Sequence, residues 1–134
     1  MPVKLKHLLI ADDDMDDIAL FESAMLEVCP DLKLSVAYNG VNLLEILPTI
    51  PLPDAIILDL NMPLIGGKEC LMKIRSQSRF DDVPVIIFST SRRQSDIDYC
   101  IAEGANHYIV KPNTYSGLKN LVEKLCDGRF SNVN

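Results

Sequence analysis

The amino-acid sequence predicts an α/β fold: one five-stranded parallel sheet, doubly wound, with helices on both faces in a (βα)5 arrangement. Three observations lead there. Short runs rich in Val, Ile and Leu alternate five times with longer segments whose apolar residues recur every three or four positions. Several runs are apolar throughout instead of alternating, as strands covered by helices on both faces must be. The length of 134 residues suits one domain, at roughly 100 to 200 residues per domain.

The first strand is read at 8–11, followed by a helix whose stripe is Ile18, Phe21, Met25 and Val28. The second strand, at 34–37, leads to a helix carrying Val41, Leu44 and Leu47, which Pro48, Pro51 and Pro53 end before a third strand at 55–58. A short third helix carries Leu71 and Ile74, and a fourth strand lies at 85–88. The fourth helix carries Ile97, Cys100 and Ile101, with Ser91 and Gln94 read as a capping box and Gly104 as the left-handed residue past its end. The fifth strand lies at 108–110 and the fifth helix carries Leu118, Leu121, Val122 and Leu125. Residues 1–127 are assigned to the domain and 128–134 to a short tail, with no room for a fused output domain.

Composition narrows the function. Hydrophobic residues at 48% with 24% charged residues are ordinary for a globular chain, and 19 Asp and Glu against 13 Lys and Arg give a formal charge of −6. That excess of negative charge excludes nucleic acid and anionic membrane as natural partners. No apolar stretch reaches the roughly 18 residues of a membrane span, and the start has no signal-peptide core, so a cytoplasmic location is expected. Cys29, Cys70, Cys100 and Cys126 are far apart without a C-x-x-C pair and read as buried, reduced thiols. His7 begins the first strand and His107 precedes Tyr108, neither with ligand company, and both read as bystanders.

Ligands of an open parallel sheet bind outside the carboxyl ends of its strands. There stand Asp12, Asp13 and Asp14 after the first strand, Asp59 after the third, Ser89 and Thr90 after the fourth, and Lys111 with Pro112 after the fifth. Carboxylates crowded at one edge repel one another and lose hydration unless a cation joins them. Oxygen ligands without His or Cys favour a hard ion, Mg²⁺ first and Mn²⁺ second. Asp14 reads as a helix N-cap, with Asp16 and Asp17 favourable to the helix dipole. A carboxylate beside a divalent cation, an ammonium and a hydroxyl is arranged to receive a phosphoryl group.

Four segments together resemble the receiver domain of two-component response regulators: Leu8 to Asp14, Pro53 to Pro63 with Gly66 and Gly67, Pro84 to Thr90, and Gly104 to Pro112. The resemblance covers nearly the whole chain and implies the flavodoxin-like strand order 2-1-3-4-5. It makes Asp59 the phosphoacceptor and assigns Mg²⁺ to Asp12, Asp13, Asp59 and the backbone carbonyl of Asn61. Ser89 becomes the hydroxyl that meets the phosphoryl oxygen, Lys111 its pairing lysine, and Tyr108 the aromatic switch coupled to Ser89. The Lys111–Pro112 bond is often cis in this family. Thr90 replaces the common small residue and narrows phosphate access, and Asn113 replaces a frequent Phe. The resemblance further implies a histidine kinase or histidine phosphotransfer protein as phosphodonor and a protein as downstream partner. The domain is expected as a monomer or a phosphorylation-dependent homodimer. Stand-alone regulators, including those paired with phytochrome-type kinases, are the nearest kind.

Two other functions compete. A Mg²⁺-dependent phosphatase with an Asp nucleophile needs a second Asp two residues on, and position 61 is Asn. A phosphorylation-independent binding module would not need the full set Asp12, Asp13, Asp59, Ser89 and Lys111. A true switch is expected to signal through the fourth helix, fifth strand and fifth helix, with the second and third helices responding little.

Overall fold

The apolar runs become five parallel strands, β1 (His7–Ala11), β2 (Lys33–Ala37), β3 (Ala55–Leu58), β4 (Val85–Ser89) and β5 (His107–Val110), in the order β2-β1-β3-β4-β5. The computed structural model describes residues 4–128, so most of the tail read at 128–134 lies outside the described residues. Helices α1 (Met15–Val28), α2 (Gly40–Ile46), α3 (Gly67–Arg75), α4 (Gln94–Ala102) and α5 (Tyr115–Cys126) connect them, with a 3-10 turn at Ser78–Phe80.

Successive strand residues point to opposite faces, and the sheet splits the interior accordingly. Leu8, Ile10, Ile57, Ile86 and Ile109 pack under α1 and α5, while Leu9, Ile56, Leu58, Ile87 and Tyr108 pack under α2, α3 and α4. β1, β3 and β4 are buried along their whole length, whereas β2, at one edge, is partly exposed. The order reverses between β1 and β3, whose carboxyl ends flank the resulting crevice.

The helix boundaries have identifiable causes. Asp14 caps α1, accepting from the backbone N–H groups of Asp16 and Asp17, and Asn39 and Thr114 cap α2 and α5 in the same way. Gly104 has φ +105°, in the left-handed region, and Arg75 donates to its carbonyl at 2.8 Å.

Five expectations change. The Ser91 and Gln94 capping box does not form: α4 starts at Gln94 after Arg93, and the Ser91 hydroxyl donates instead to the Asp96 carboxylate, a charged and therefore stronger acceptor. Ile101 is 41% exposed because α4 packs inward through Cys100. In α2 the fully buried residues are Leu43 and Leu47, with Val41 and Leu44 half-buried, since the helix starts at Gly40 behind its Asn39 cap. No peptide bond among the described residues is cis, so Lys111–Pro112 is trans. Only Cys70 and Cys100 are buried free thiols. Cys29 and Cys126 form a disulfide with their Cα atoms 6.5 Å apart, because α1 and α5 pack side by side and bring their carboxyl ends together. His7 bonds to the Ser35 hydroxyl at 2.7 Å, and both His7 and His107 stand at the opposite, amino end of the sheet from the acidic residues.

Candidate functional site

Backbone bonds set the site before any side chain does. The sheet ladder runs one step past the strands: the Asp12 N–H bonds to the Ala37 carbonyl at 3.1 Å, the Asp59 N–H to Ala11 at 3.0 Å and the Lys111 N–H to Ser89 at 2.9 Å. Asp12, Asp59 and Lys111 therefore share the rigidity of the sheet. Asp12 Oδ1 accepts from the Asp14 N–H at 2.9 Å, which turns the chain into the cap of α1. Behind Asp59, a Cβ at Gly67 would collide with the Asp59 carbonyl oxygen, so only glycine lets α3 start this close.

Carboxylate oxygens of Asp12, Asp13 and Asp59 lie within 4.8 Å of one another, with Asp12 and Asp59 buried and Asp13 exposed. Lys111 Nζ reaches into the group at 2.9 Å from Asp12 Oδ2, 2.8 Å from Asp17 Oδ2 and 3.6 Å from Asp59 Oδ2. Burial pushes the Asp59 carboxyl up to about 6; the Lys111 charge opposes the rise and Asp12 adds to it. Burial alone would lower the Lys111 ammonium, but the hydrogen bonds it donates to Asp17 and Asp12 and the charge of Asp59 raise it. An open cleft over this group is lined by Asp13, Met15, Asp59, Asn61, Thr90 and Lys111. Three convergent carboxylates with only oxygen donors form a donor set that fits a hard divalent cation.

The family model for the response regulator receiver domain matches residues 8–123. This chain belongs to that family. Among curated relatives, chemotaxis protein CheY1 of Helicobacter pylori is 31% identical over 116 residues, covering 87% of this chain and 93% of the relative. The two-component response regulator ORR5 of Oryza sativa subsp. japonica is 29% identical over 119 residues, covering 89% and 87%. Among solved structures, the phosphorylated cyanobacterial phytochrome response regulator RcpA is 28% identical with a TM-score of 0.84, over 90% of this chain and 91% of that one. The Mn²⁺-bound form of response regulator Rcp1 is 25% identical with a TM-score of 0.81 over the same shares. The receiver fold and strand order read from sequence are those observed.

Of the remaining predicted residues in this receiver domain, Thr90 lines the cleft, and Ser89, Tyr108 and Asn113 stand outside its lining. Ser89 is fully buried, and its Oγ accepts from the Ser91 N–H at 3.2 Å. Thr90 is exposed at the cleft wall. Tyr108 is 2% exposed and its hydroxyl donates to the Ser91 carbonyl at 2.9 Å, so its ring lies inward and its hydroxyl is anchored to protein instead of water. Asn113 is exposed on the rim of a separate small cavity with Leu20, Phe88 and Leu118. Two acids carry more than the sequence revealed. Asp17, read as a helix-dipole residue, is an ion-pair partner of Lys111, and Asp96, not singled out at all, is a buried carboxylate bonded to Lys68 and Ser91. Only a fold that lays the first turn of α1 against Lys111 brings Asp17 there, and no spacing in the chain announces it.

Proposed function

We propose that this receiver domain is a phosphorylation-controlled switch of a two-component phosphorelay, with Asp59 as the phosphoacceptor. The observation that carries the reading is a buried Asp59 carboxylate beside two further carboxylates and 3.6 Å from the Lys111 ammonium. A pKa near 6 leaves Asp59 ionised at neutral pH and able to attack. Its oxygen attacks the phosphorus of a phosphohistidine on a sensor kinase or phosphotransfer protein. The P–N bond breaks, its electron pair returns to the imidazole nitrogen, which ends protonated, and an aspartyl phosphate forms on Asp59.

Lys111 is placed to pair with the phosphoryl oxygens, and the Ser89 hydroxyl to meet one of them. A Mg²⁺ or Mn²⁺ ion held by Asp12, Asp13, Asp59 and the Asn61 backbone carbonyl would supply charge neutralisation to the incoming phosphoryl group. The phosphorylated and Mn²⁺-bound relatives support both halves of this reading. Thr90 at the cleft wall restricts access to the phosphoryl group. Output is a changed protein–protein contact, and Asn at position 61, where an Asp-nucleophile phosphatase needs a second Asp, speaks against turnover of external substrates. The proposed site of action is the cytoplasm; no helix among the described residues is long and apolar enough to cross a membrane.

Intact mass after incubation with acetyl phosphate and Mg²⁺ tests the proposal. One added phosphoryl group, absent without the metal and absent in Asp59→Asn, is expected. Labelling that persists in Asp59→Asn, or no labelling of the wild type, overturns it.

A further inference from the structure

Beyond the phosphoryl site, a continuous polar chain leads from Ser89 to the third helix. The Ser91 backbone N–H donates to Ser89 Oγ at 3.2 Å, and the Ser91 carbonyl accepts from the Tyr108 hydroxyl at 2.9 Å. The Ser91 hydroxyl then donates to Asp96 Oδ2 at 2.6 Å, and Asp96 Oδ1 accepts from Lys68 Nζ at 2.8 Å. Lys68 stands in the first turn of α3, with its ammonium 4.9 Å from the centre of the Tyr99 ring of α4. Each of the three polar groups of Ser91 is thus committed to a different part of the molecule.

An acid in the first turn of a helix ordinarily serves the helix dipole. Asp96 does something else as well. It leaves α4 without a side-chain cap and spends its two oxygens on a loop hydroxyl and on a lysine of another helix, with its side chain 11% exposed. Arg93 Nε lies 3.4 Å from Oδ2 on an exposed side chain, and it screens the carboxylate without burying it further. The Lys68 hydrogen bond holds the Asp96 carboxyl below its usual range, so it is ionised whenever the switch operates.

We infer that Asp96 is a positioning residue: through Ser91 it sets the loop to which Ser89 and Tyr108 are bonded, and through Lys68 it couples that loop to α3. The coupling rests on the proposed role of Asp59 for its trigger, but the tether itself does not. A shift of Ser89 toward a phosphoryl group pulls the Ser91 N–H, Ser91 moves against Asp96, and the Lys68 bond carries the change across the seam between α4 and α3. The third helix therefore responds to phosphorylation, although its place on the far side of α4 from β5 gives no hint of it.

Hydrogen exchange of α3 and α4, with and without acetyl phosphate and Mg²⁺, tests this on three proteins. In the wild type, phosphorylation should change amide exchange by about fivefold or more in the first turns of both helices, the lower end of usual coupling between sites. Asp96→Asn and Lys68→Met should still be labelled at Asp59, seen by intact mass, yet lose the α3 response. Asp96→Glu should restore part of it. An α3 response that survives in both variants overturns the inference, as does a wild type that is labelled without any α3 change. Because the Lys68 side chain is 44% exposed, Lys68→Met keeps the test open if Asp96→Asn fails to fold. Should the wild type not be labelled, the phosphoacceptor reading fails separately, and Tyr108→Phe then decides the tether. Loss of the hydroxyl bond to Ser91 should speed exchange at the start of α3, and no change there refutes the coupling.

Discussion

Asp59 is a buried acid whose charge is costly until something joins it, and that cost has a pH signature. Its carboxyl is raised from the ordinary value near 4 to about 6, so between those values the folded chain holds a proton that the unfolded chain has released. Stability from this group is present at low pH and is lost as pH rises through 6. In metal-free buffer, the melting temperature of Asp59→Asn relative to wild type should rise between pH 4 and pH 6.5; a constant difference would show that Asp59 titrates normally. Asp12 and Asp13 differ in kind although they are adjacent. Asp13 is exposed, so Asp13→Asn should leave metal-free stability within about 0.5 kcal/mol of wild type. Asp12 is 1% exposed and paired with Lys111, so Asp12→Asn should destabilise, by about 1–3 kcal/mol for loss of a charged hydrogen bond. Both variants should lose the Mg²⁺-induced rise in melting temperature. Urea titrations with and without Mg²⁺ read both quantities, and equal metal-free stabilities would show that the Lys111 pair contributes nothing. Simple repulsion among acids, as the sequence suggests, is therefore only half of the electrostatics, because Lys111 already offsets it.

Among the elements, the strands were legible because fully buried parallel strands leave an unbroken apolar run, and the residues that follow them are held by the same ladder. Asp12, Asp59, Ser89 and Lys111 were found for that reason: their place in the fold is one residue beyond a pattern visible in the chain. Contacts between helices left no such trace. The pairing of Cys29 with Cys126 joins residues 97 apart in sequence and depends on the parallel alignment of α1 and α5, and the Asp96 tether depends on α3 and α4 lying side by side. Helix starts were legible where a cap side chain serves its own helix, as Asp14 does, and misread where a serine had a charged acceptor nearby, as Ser91 does. The disulfide joins residues 97 apart in sequence, so reducing it should lower stability by roughly 2–4 kcal/mol, chiefly by freeing the unfolded state. Urea denaturation with and without dithiothreitol, beside Cys126→Ser as a control for the reductant, measures it. Coincident curves would mean that the two sulfurs are not bonded in solution.

At the scale of the whole molecule, the sheet separates a stapled layer from an articulated one. On one side, α1 and α5 are joined by the disulfide, by the Tyr115 hydroxyl donating to Glu27 at 2.5 Å and by Lys119 at 3.7 Å from the same carboxylate. On the other side, α4 meets the loop after β4 and α3 through polar bonds around Ser91 and Asp96 and through Tyr99, which contacts Met72 and Lys68. A displacement that begins at Ser89 meets only non-covalent contacts in the second layer and a covalent restraint in the first. The start of α5, reached through Lys111 and Pro112, can still move, but its end at Cys126 is fixed to α1. Phosphorylation should therefore change hydrogen exchange most in residues 89–93, in α4 and in the first turn of α3. It should change the first turn of α5 less, and the carboxyl ends of α1 and α5 least, with α2 silent because none of these bonds reaches it. Reducing the disulfide should spread the response along α5 while leaving that of α3 unchanged. A response centred on the joined ends of α1 and α5 in the oxidised protein would show that the sheet transmits the change directly and that the polar chain is a bystander.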